Sequence, residues 1–547
     1  MPLREVGAEL SQALSLVRVG NHAVVEPVLN SAVRKLIAHR AAAGRSNKLD
    51  DLLQMPWEGM DWEEKQEQFL LLRAATLTAE VADYRGEGDR AAKALLPYRR
   101  IVDHLDQQRH QPARMFQFSG EDDLGWKLLR QELFCAWQFA VLEYRHGRLG
   151  ESRRIMDAAL QIADSMDPGS GGLLTQLYYA QAKLRLRERA FLEASVMFRK
   201  SLVAASVRFS NAGGGRDLER QAAQYSVAKA LCLGLAQSLL DQGRLHEAHT
   251  VVVAGRMLLD LTPDLVHRSY AQQLLGAIER ASARDRDAFL LAAARKNLEQ
   301  CVGFFSQHKP AAAFRARYEL GLIDLHLGDS VSSEKRLSGL LMDAEAAQSV
   351  KWTAMAHVGL ARVARHMKEF DRSVKEALRA RKIATKHKLR TVEINAHTAQ
   401  LLTLFEQYAD QPEQLEEVED GIHELLRKIP EEDVRNRVMG LLVHVRVLAA
   451  RKELRRARAT YEKYERIAHL VQSPRVHDIA ELALRAISTN TFVCPADHVP
   501  PEFDLEKNKE ALRDYVVHKV ETVHQSPDER AEALNVGVST YYRLKGK

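Results

Sequence analysis

Apolar residues recur at three- and four-residue intervals along almost the whole chain, as in Leu133, Trp137, Ala140, Val141 and Tyr144. That spacing gathers them on one face of an amphipathic helix. The strict alternation of a half-buried strand is absent, so the pattern predicts an all-α fold. Proline is scarce, 15 in 547 residues, in keeping with long uninterrupted helices.

Aligning the small residues uncovers a repeat. Gly147, Gly243 and Gly328 each precede a small residue by five positions (Ser152, Ala248 and Ser333), and Gly86 stands in the same relation to Ala91. Four positions further on comes an apolar residue: Met156, Val252, Leu337 and Leu95. Ala194 with Phe198, Ser373 with Ala377, and Ala457 with Tyr461 continue the series without the glycine. Ala288 reads as one more small position, with Leu275-Gly276 upstream of it as Leu320-Gly321 lies upstream of Ser333. The glycine lets the chain turn with positive φ between antiparallel helices. The small residue admits a close helix approach, and the larger one fills the space one turn later. Intervals between small positions centre near 42 residues, with a double interval from Ser373 to Ala457 that hides a degenerate copy.

These residues resemble the tetratricopeptide repeat, whose Ala-x-x-x-Phe element is matched literally by Ala194-Ser195-Val196-Met197-Phe198. The resemblance implies an α-solenoid of TPR-like helix pairs over 65–487, about nine of them, with helices longer than in the ~34-residue repeat. HEAT-like pairs are the alternative. Residues 1–64 form an N-terminal helical segment without a motif. A solenoid leaves a concave face, expected to bind a peptide, protein or small-molecule signal.

The pattern stops after Ile487. Cys494-Pro495 and Val499-Pro500-Pro501 mark a linker over 488–503. The segment 504–547 has room for a small trihelical domain. Leu512, Val516 and Val520 share a face of its first helix. Ser526-Pro527-Asp528-Glu529 opens the second with a serine cap, proline at the first helical position and glutamate three after the cap. That helix ends at Leu534-Asn535, and a third follows over about 538–545. The run Leu534-Asn535-Val536-Gly537-Val538-Ser539-Thr540-Tyr541-Tyr542-Arg543 resembles the recognition region of Fis-type and transposase-type helix-turn-helix domains, L-G-[IV]-S-R-S-T-[LY]-Y-R. Gly537 and Val538 depart from that pattern.

The resemblance implies that Ser539, Thr540 and Arg543 face double-stranded DNA and that Tyr542 braces the helix against its backbone. Lys545 and Lys547 add positive charge, and Ala531, Leu534, Val536 and Leu544 form the small core. The expected protein is therefore a DNA-binding transcriptional regulator. Its solenoid takes a peptide or protein ligand, and its helix-turn-helix contacts DNA as a homodimer. The alternatives are a TPR protein-interaction scaffold and an accessory DNA-binding subunit of a mobile-element or phage system.

Composition adds mainly exclusions. The chain is 46% apolar and 28% charged with a net charge of +6, an ordinary charged helical surface. No apolar run is long enough to span a membrane and Met1-Pro2-Leu3-Arg4-Glu5 leads into no leader, so a cytoplasmic protein is expected, nucleoid-associated when on DNA. Cys135, Cys232, Cys301 and Cys494 form no C-x-x-C pair, and histidines such as His246 and His249 lack the helical zinc spacing, so no metal is expected. Gly169–Gly172 and Gly213–Gly215 lack the ending of a phosphate loop and read as flexible connections. The acidic clusters Glu121-Asp122-Asp123 and Glu431-Glu432-Asp433 read as helix starts. The basic runs Arg379–Arg390 and Arg451–Arg458 read as solvated faces, with auxiliary phosphate contacts as the alternative. No catalytic constellation and no cofactor motif emerges, so no enzyme is expected.

Overall fold

The computed structural model describes residues 2–18, 24–42, 62–85, 87–99, 101–103, 123–145, 148–164, 171–211, 224–284, 287–489 and Ser526. Among them the chain is helical throughout and built from antiparallel helix pairs, an all-α TPR-like solenoid. A first hairpin, Pro2–Arg18 with Val25–Ala42, shares one apolar core with the helix Trp62–Arg85: Val6 and Leu10 meet Leu29 and Leu36 beside Leu70 and Leu77. Arg40 and Glu67, both buried, pair at 3.2 Å across this junction.

The hairpins that follow share one local design. In three of them the small residue is a serine whose hydroxyl donates to a main-chain carbonyl of the preceding helix. Ser152 bonds Ala140, Ser333 bonds Gly321 and Ser373 bonds Ala361, each at 2.7 Å. Only a short side chain lets two helix backbones come that close, and the bond satisfies a hydroxyl that is otherwise buried. Leu337, one turn after Ser333, is gripped from both sides. A Cβ on Gly321 of the preceding helix would lie 2.8 Å from it, and a Cβ on Gly359 of the following helix 2.9 Å.

The turns show why the glycine series looked interrupted. Gly243 and Gly328 adopt positive φ as expected, but Arg189, Lys368 and Lys452 adopt the same left-handed conformation at the equivalent points. Behind each of these five residues the next N–H reaches back to a carbonyl five residues earlier, as in Ala190 to Arg185 at 3.0 Å and Glu369 to Ala364 at 2.8 Å. That bond closes a Schellman turn, so the cap is maintained even where a side chain must sit in the left-handed region.

Two repeat positions are corrected. Ala288 is exposed and merely opens its helix, Ala288–His308; the buried small residue there is Ala294, followed by Leu298, which contacts Gly276. The degenerate copy lies in the helix Leu415–Lys428 with the roles exchanged: Gly421 is the small partner, and Leu401 of the preceding helix fills the space above it. The reading of Gly169–Gly172 as a loop is amended too, because Gly171 already begins the helix Gly171–Glu188.

Distant hairpins also touch. The Arg189 guanidinium pairs with buried Asp433 and donates to Thr391 Oγ1 at 3.1 Å. The Leu192 N–H donates to Glu432 at 3.1 Å, and the Gln472 N–H donates to the Gly243 carbonyl at 2.9 Å. Arg475 meets His326 at 2.5 Å. Part of each basic run is taken up within the array, Arg381 by Glu424 and Arg451 and Arg456 by Glu419, while Lys382, Lys386 and Arg455 face solvent.

The helix Pro474–Thr489 runs two residues past Ile487; the rest of the linker, Cys494 and the trihelical segment apart from Ser526 lie outside the described residues. So do the implied DNA-facing residues Ser539, Thr540, Tyr542, Arg543, Lys545 and Lys547 and the small core Ala531, Leu534, Val536 and Leu544.

Candidate functional site

The two helices of a hairpin meet different environments. The first helix Ala313–His326 has no exposed residue, whereas its partner Ser330–Ala346 exposes Val331 and Met342. First helices therefore line the inside of the array, where side chains from several hairpins converge. There they enclose a cavity of about 600 Å³.

Aromatic side chains form its walls: Trp137 and Tyr144 from the helix Asp123–Arg145, Tyr179 from Gly171–Glu188, Tyr270 from Leu265–Ser282, and Trp352 from Val350–His366. Cations stand among them. Lys183 lies over the Tyr179 ring and donates to the Leu233 carbonyl. Lys229 lies over the Tyr225 ring, 5.1 Å from its centre. Arg315 donates to Gln237 Oε1 at 2.5 Å, and Lys309 completes the set. Burial, reinforced by the charge of Arg315, pushes the Lys183 ammonium down to about 8. Glu80 is the acidic lining residue among the described ones.

One side of the cavity is braced by a polar triad. Asp264 caps the helix Leu265–Ser282 by accepting from the His267 N–H at 2.9 Å, and it also accepts from the Tyr225 hydroxyl and the His267 ring. Burial opposes ionisation of Asp264, but these partners outweigh it and hold its carboxyl well below the usual range. Burial pushes His267 down, so the ring is neutral near pH 7.

The donor inventory is unbalanced. Trp137 Nε1 and Gln138 Nε2 are buried N–H groups without an acceptor among the described residues, and both side chains line the cavity. A buried donor left unpaired costs on the order of 1–3 kcal/mol. Both atoms are closed to solvent, so packed side chains and not the open space of the cavity surround them. None of these residues was singled out by sequence reasoning as a binding residue; Trp137 and Tyr144 served only to show helical spacing. The available signal was an aromatic or lysine at successive first-helix positions, such as Tyr179 and Lys183, one helical turn apart.

A second cluster joins Glu419, His423 and His444, whose ligand-type atoms lie within 4.8 Å of one another. Arg451 and Arg456 already hold the Glu419 carboxylate, and His444 approaches it at 3.4 Å. Burial opposes ionisation of Glu419, yet the His444 bond and the Arg456 charge hold its carboxyl below the usual range. Two guanidiniums compete with any cation for these oxygens, so the cluster acts as an ion-pair hub. Elsewhere in the array, Asn297 donates to Glu279 at 2.8 Å inside its own hairpin.

No protein-family model and no curated protein matches the chain. Among solved structures, it is similar to a Rap protein complexed with competence and sporulation factor, at 13% identity over 72% of this chain and 99% of that one, with a TM-score of 0.43. Aspartyl phosphate phosphatase F from Bacillus subtilis matches at 12% identity over 72% and 95% of the two chains, TM-score 0.40. The apo form of RapI matches at 10% identity over 82% and 98%, TM-score 0.39.

Two expectations are corrected at this point. The reading as a DNA-binding transcriptional regulator with a double-stranded DNA partner is corrected: the similar solved structures are named as a Rap protein with its factor, an aspartyl phosphate phosphatase and an apo RapI, and none of them is named for DNA. The nucleoid association falls with it. The expectation of no enzyme is corrected as well, since an aspartyl phosphate phosphatase stands among the similar structures. No helix among the described residues is long and apolar enough to cross a membrane.

Proposed function

We propose that the chain is a protein-interaction module whose solenoid seats a peptide segment of a partner in the inner cavity. The observation that carries this reading is a cavity walled by aromatic side chains from several hairpins and set with Lys183, Lys229, Lys309 and Arg315. Such a cavity offers apolar surface for side chains and a few convergent charged donors for polar groups, the combination that recognises a short segment. Its volume of about 600 Å³ falls within the ~300–1,000 Å³ usual for pockets that bury a small ligand. A few residues of a partner fit; a folded domain does not.

The test is site-specific photocrosslinking in the cells that make the protein. A benzoylphenylalanine at Val141, on the cavity wall, should yield a discrete crosslinked partner. The same probe at Phe289, 84% exposed on a second helix, should not. Equal patterns from the two sites would refute the assignment.

A further inference from the structure

The geometry points to an acidic peptide segment as the occupant of the inner cavity, its carboxylates met by Lys183, Lys229 and Arg315 and its apolar side chains by the Tyr179, Tyr270 and Trp352 rings. This deepens the proposed function and rests on it.

The argument begins with charge. Four cations line the cavity and one carboxylate, Glu80, does so among the described residues. Of the nearby acids, Asp264 is held by Tyr225 and His267, and Asp241 accepts from Gln237 Nε2 at 2.8 Å while acting on Lys183. Lys351 adds to the positive field at Lys183. Like charges gathered in a partly enclosed apolar site repel one another more than they would in water; burial is the larger cause of the lowered Lys183 pKa, and the charges of Arg315, Lys351 and Lys229 add to it. An anion relieves the repulsion; a basic or neutral segment does not.

Shape favours a peptide over a simple anion. The Tyr179, Tyr270 and Trp352 rings offer apolar surface that a bare carboxylate would leave unused. Lys229 and Arg315 come from different hairpins, on 224–242 and Ala313–His326, so carboxylates along one extended segment can reach both.

The experiment is selection of random hexapeptides by messenger-RNA display on the full chain. A Lys229→Gln/Arg315→Gln variant and a charge-preserving Lys229→Arg/Arg315→Lys variant are screened in parallel, each checked for helical content and melting temperature. The recovered pool should be rich in Asp and Glu. A recovered peptide should bind the double-Gln variant at least about tenfold more weakly, as expected for charge-assisted bonds, and should bind the Arg/Lys variant nearly as well as the native chain. Replacing its Glu and Asp by Gln and Asn should abolish the preference. A pool of neutral or basic peptides that still crosslink at Val141 overturns the acidic assignment and leaves the peptide-binding reading intact. Acidic peptides that bind the double-Gln variant equally well also overturn the assignment. A pool with no enrichment removes both readings.

Discussion

Arg189, in the turn after the helix Gly171–Glu188, sets its guanidinium on the carboxylate of Asp433, which opens the helix Val434–Ala450 near the other end of the array. Both side chains are buried, at 6% and 0% exposure. Arg189 reaches this position from a left-handed backbone with φ of 63°, so the pair settles a strained residue as well as a charge. Breaking a buried pair leaves its partner uncompensated. Asp433→Asn, which keeps a side-chain cap, should cost about 3–5 kcal/mol in urea unfolding. The Arg189→Met/Asp433→Asn double variant should recover at least half of that loss. An additive double variant would show that the two residues are not coupled.

Leu337 between Gly321 and Gly359 tests the close packing of neighbouring hairpins. Gly321→Ala puts a methyl group where only 2.8 Å is available and should cost about 1–3 kcal/mol by overpacking. Leu337→Ala alone should cost about 2–5 kcal/mol by leaving a cavity. Combined, the two should cost less than their sum, as read from urea midpoints at unchanged slope.

Lys452 adopts φ of 64° in a turn where Gly243 and Gly328 serve elsewhere. Glycine has no Cβ to clash there, so Lys452→Gly should stabilise the chain by about 0.5–1 kcal/mol. Calorimetry would show this as a raised melting temperature. An unchanged or lowered value would mean that the lysine stem contributes packing that offsets its strained backbone.

Burial, with the charge of Arg381, pushes His397 down to about 4, and burial with Arg475 pushes His326 down as well. Each folded-state pKa lies below the unfolded value near 6.5. The stability these neutral rings contribute is therefore present above about pH 6.5, and it is lost as the pH falls towards about 4, where the unfolded chain takes up protons first. The melting temperature should drop between pH 7 and pH 5. His397→Gln should flatten that slope by an amount on the order of 1 kcal/mol. A slope unchanged by the substitution would assign the acid sensitivity to other groups.

Legibility in the sequence followed the range of the interaction. The serine-to-carbonyl bond of Ser333 and Gly321 joins residues twelve apart, and both were visible as small positions in the helical period. The turns at Arg189, Lys368 and Lys452 lacked the glycine flag, because the Schellman bonds tolerate a strained side chain. Ala288 was misread because a small residue at a helix start looks the same whether it faces solvent or a neighbour; Ala294 lies one helical face inward. The exchange of roles at Gly421 and Leu401 hid a repeat, since the motif records which position is small and not which pair fits. The cavity was not legible at all. Trp137, Lys229 and Arg315 acquire a common purpose only when three hairpins bring them to one wall.

From composition and periodicity alone followed the helices, their pairing and the recurrence of one hairpin, because each depends on contacts within a few tens of residues and on backbone preferences. The tertiary structure decided where Arg189 meets Asp433 and which side chains share the inner cavity. Those contacts depend on small rotations between successive hairpins that accumulate along the array, and no local stretch of sequence encodes their sum.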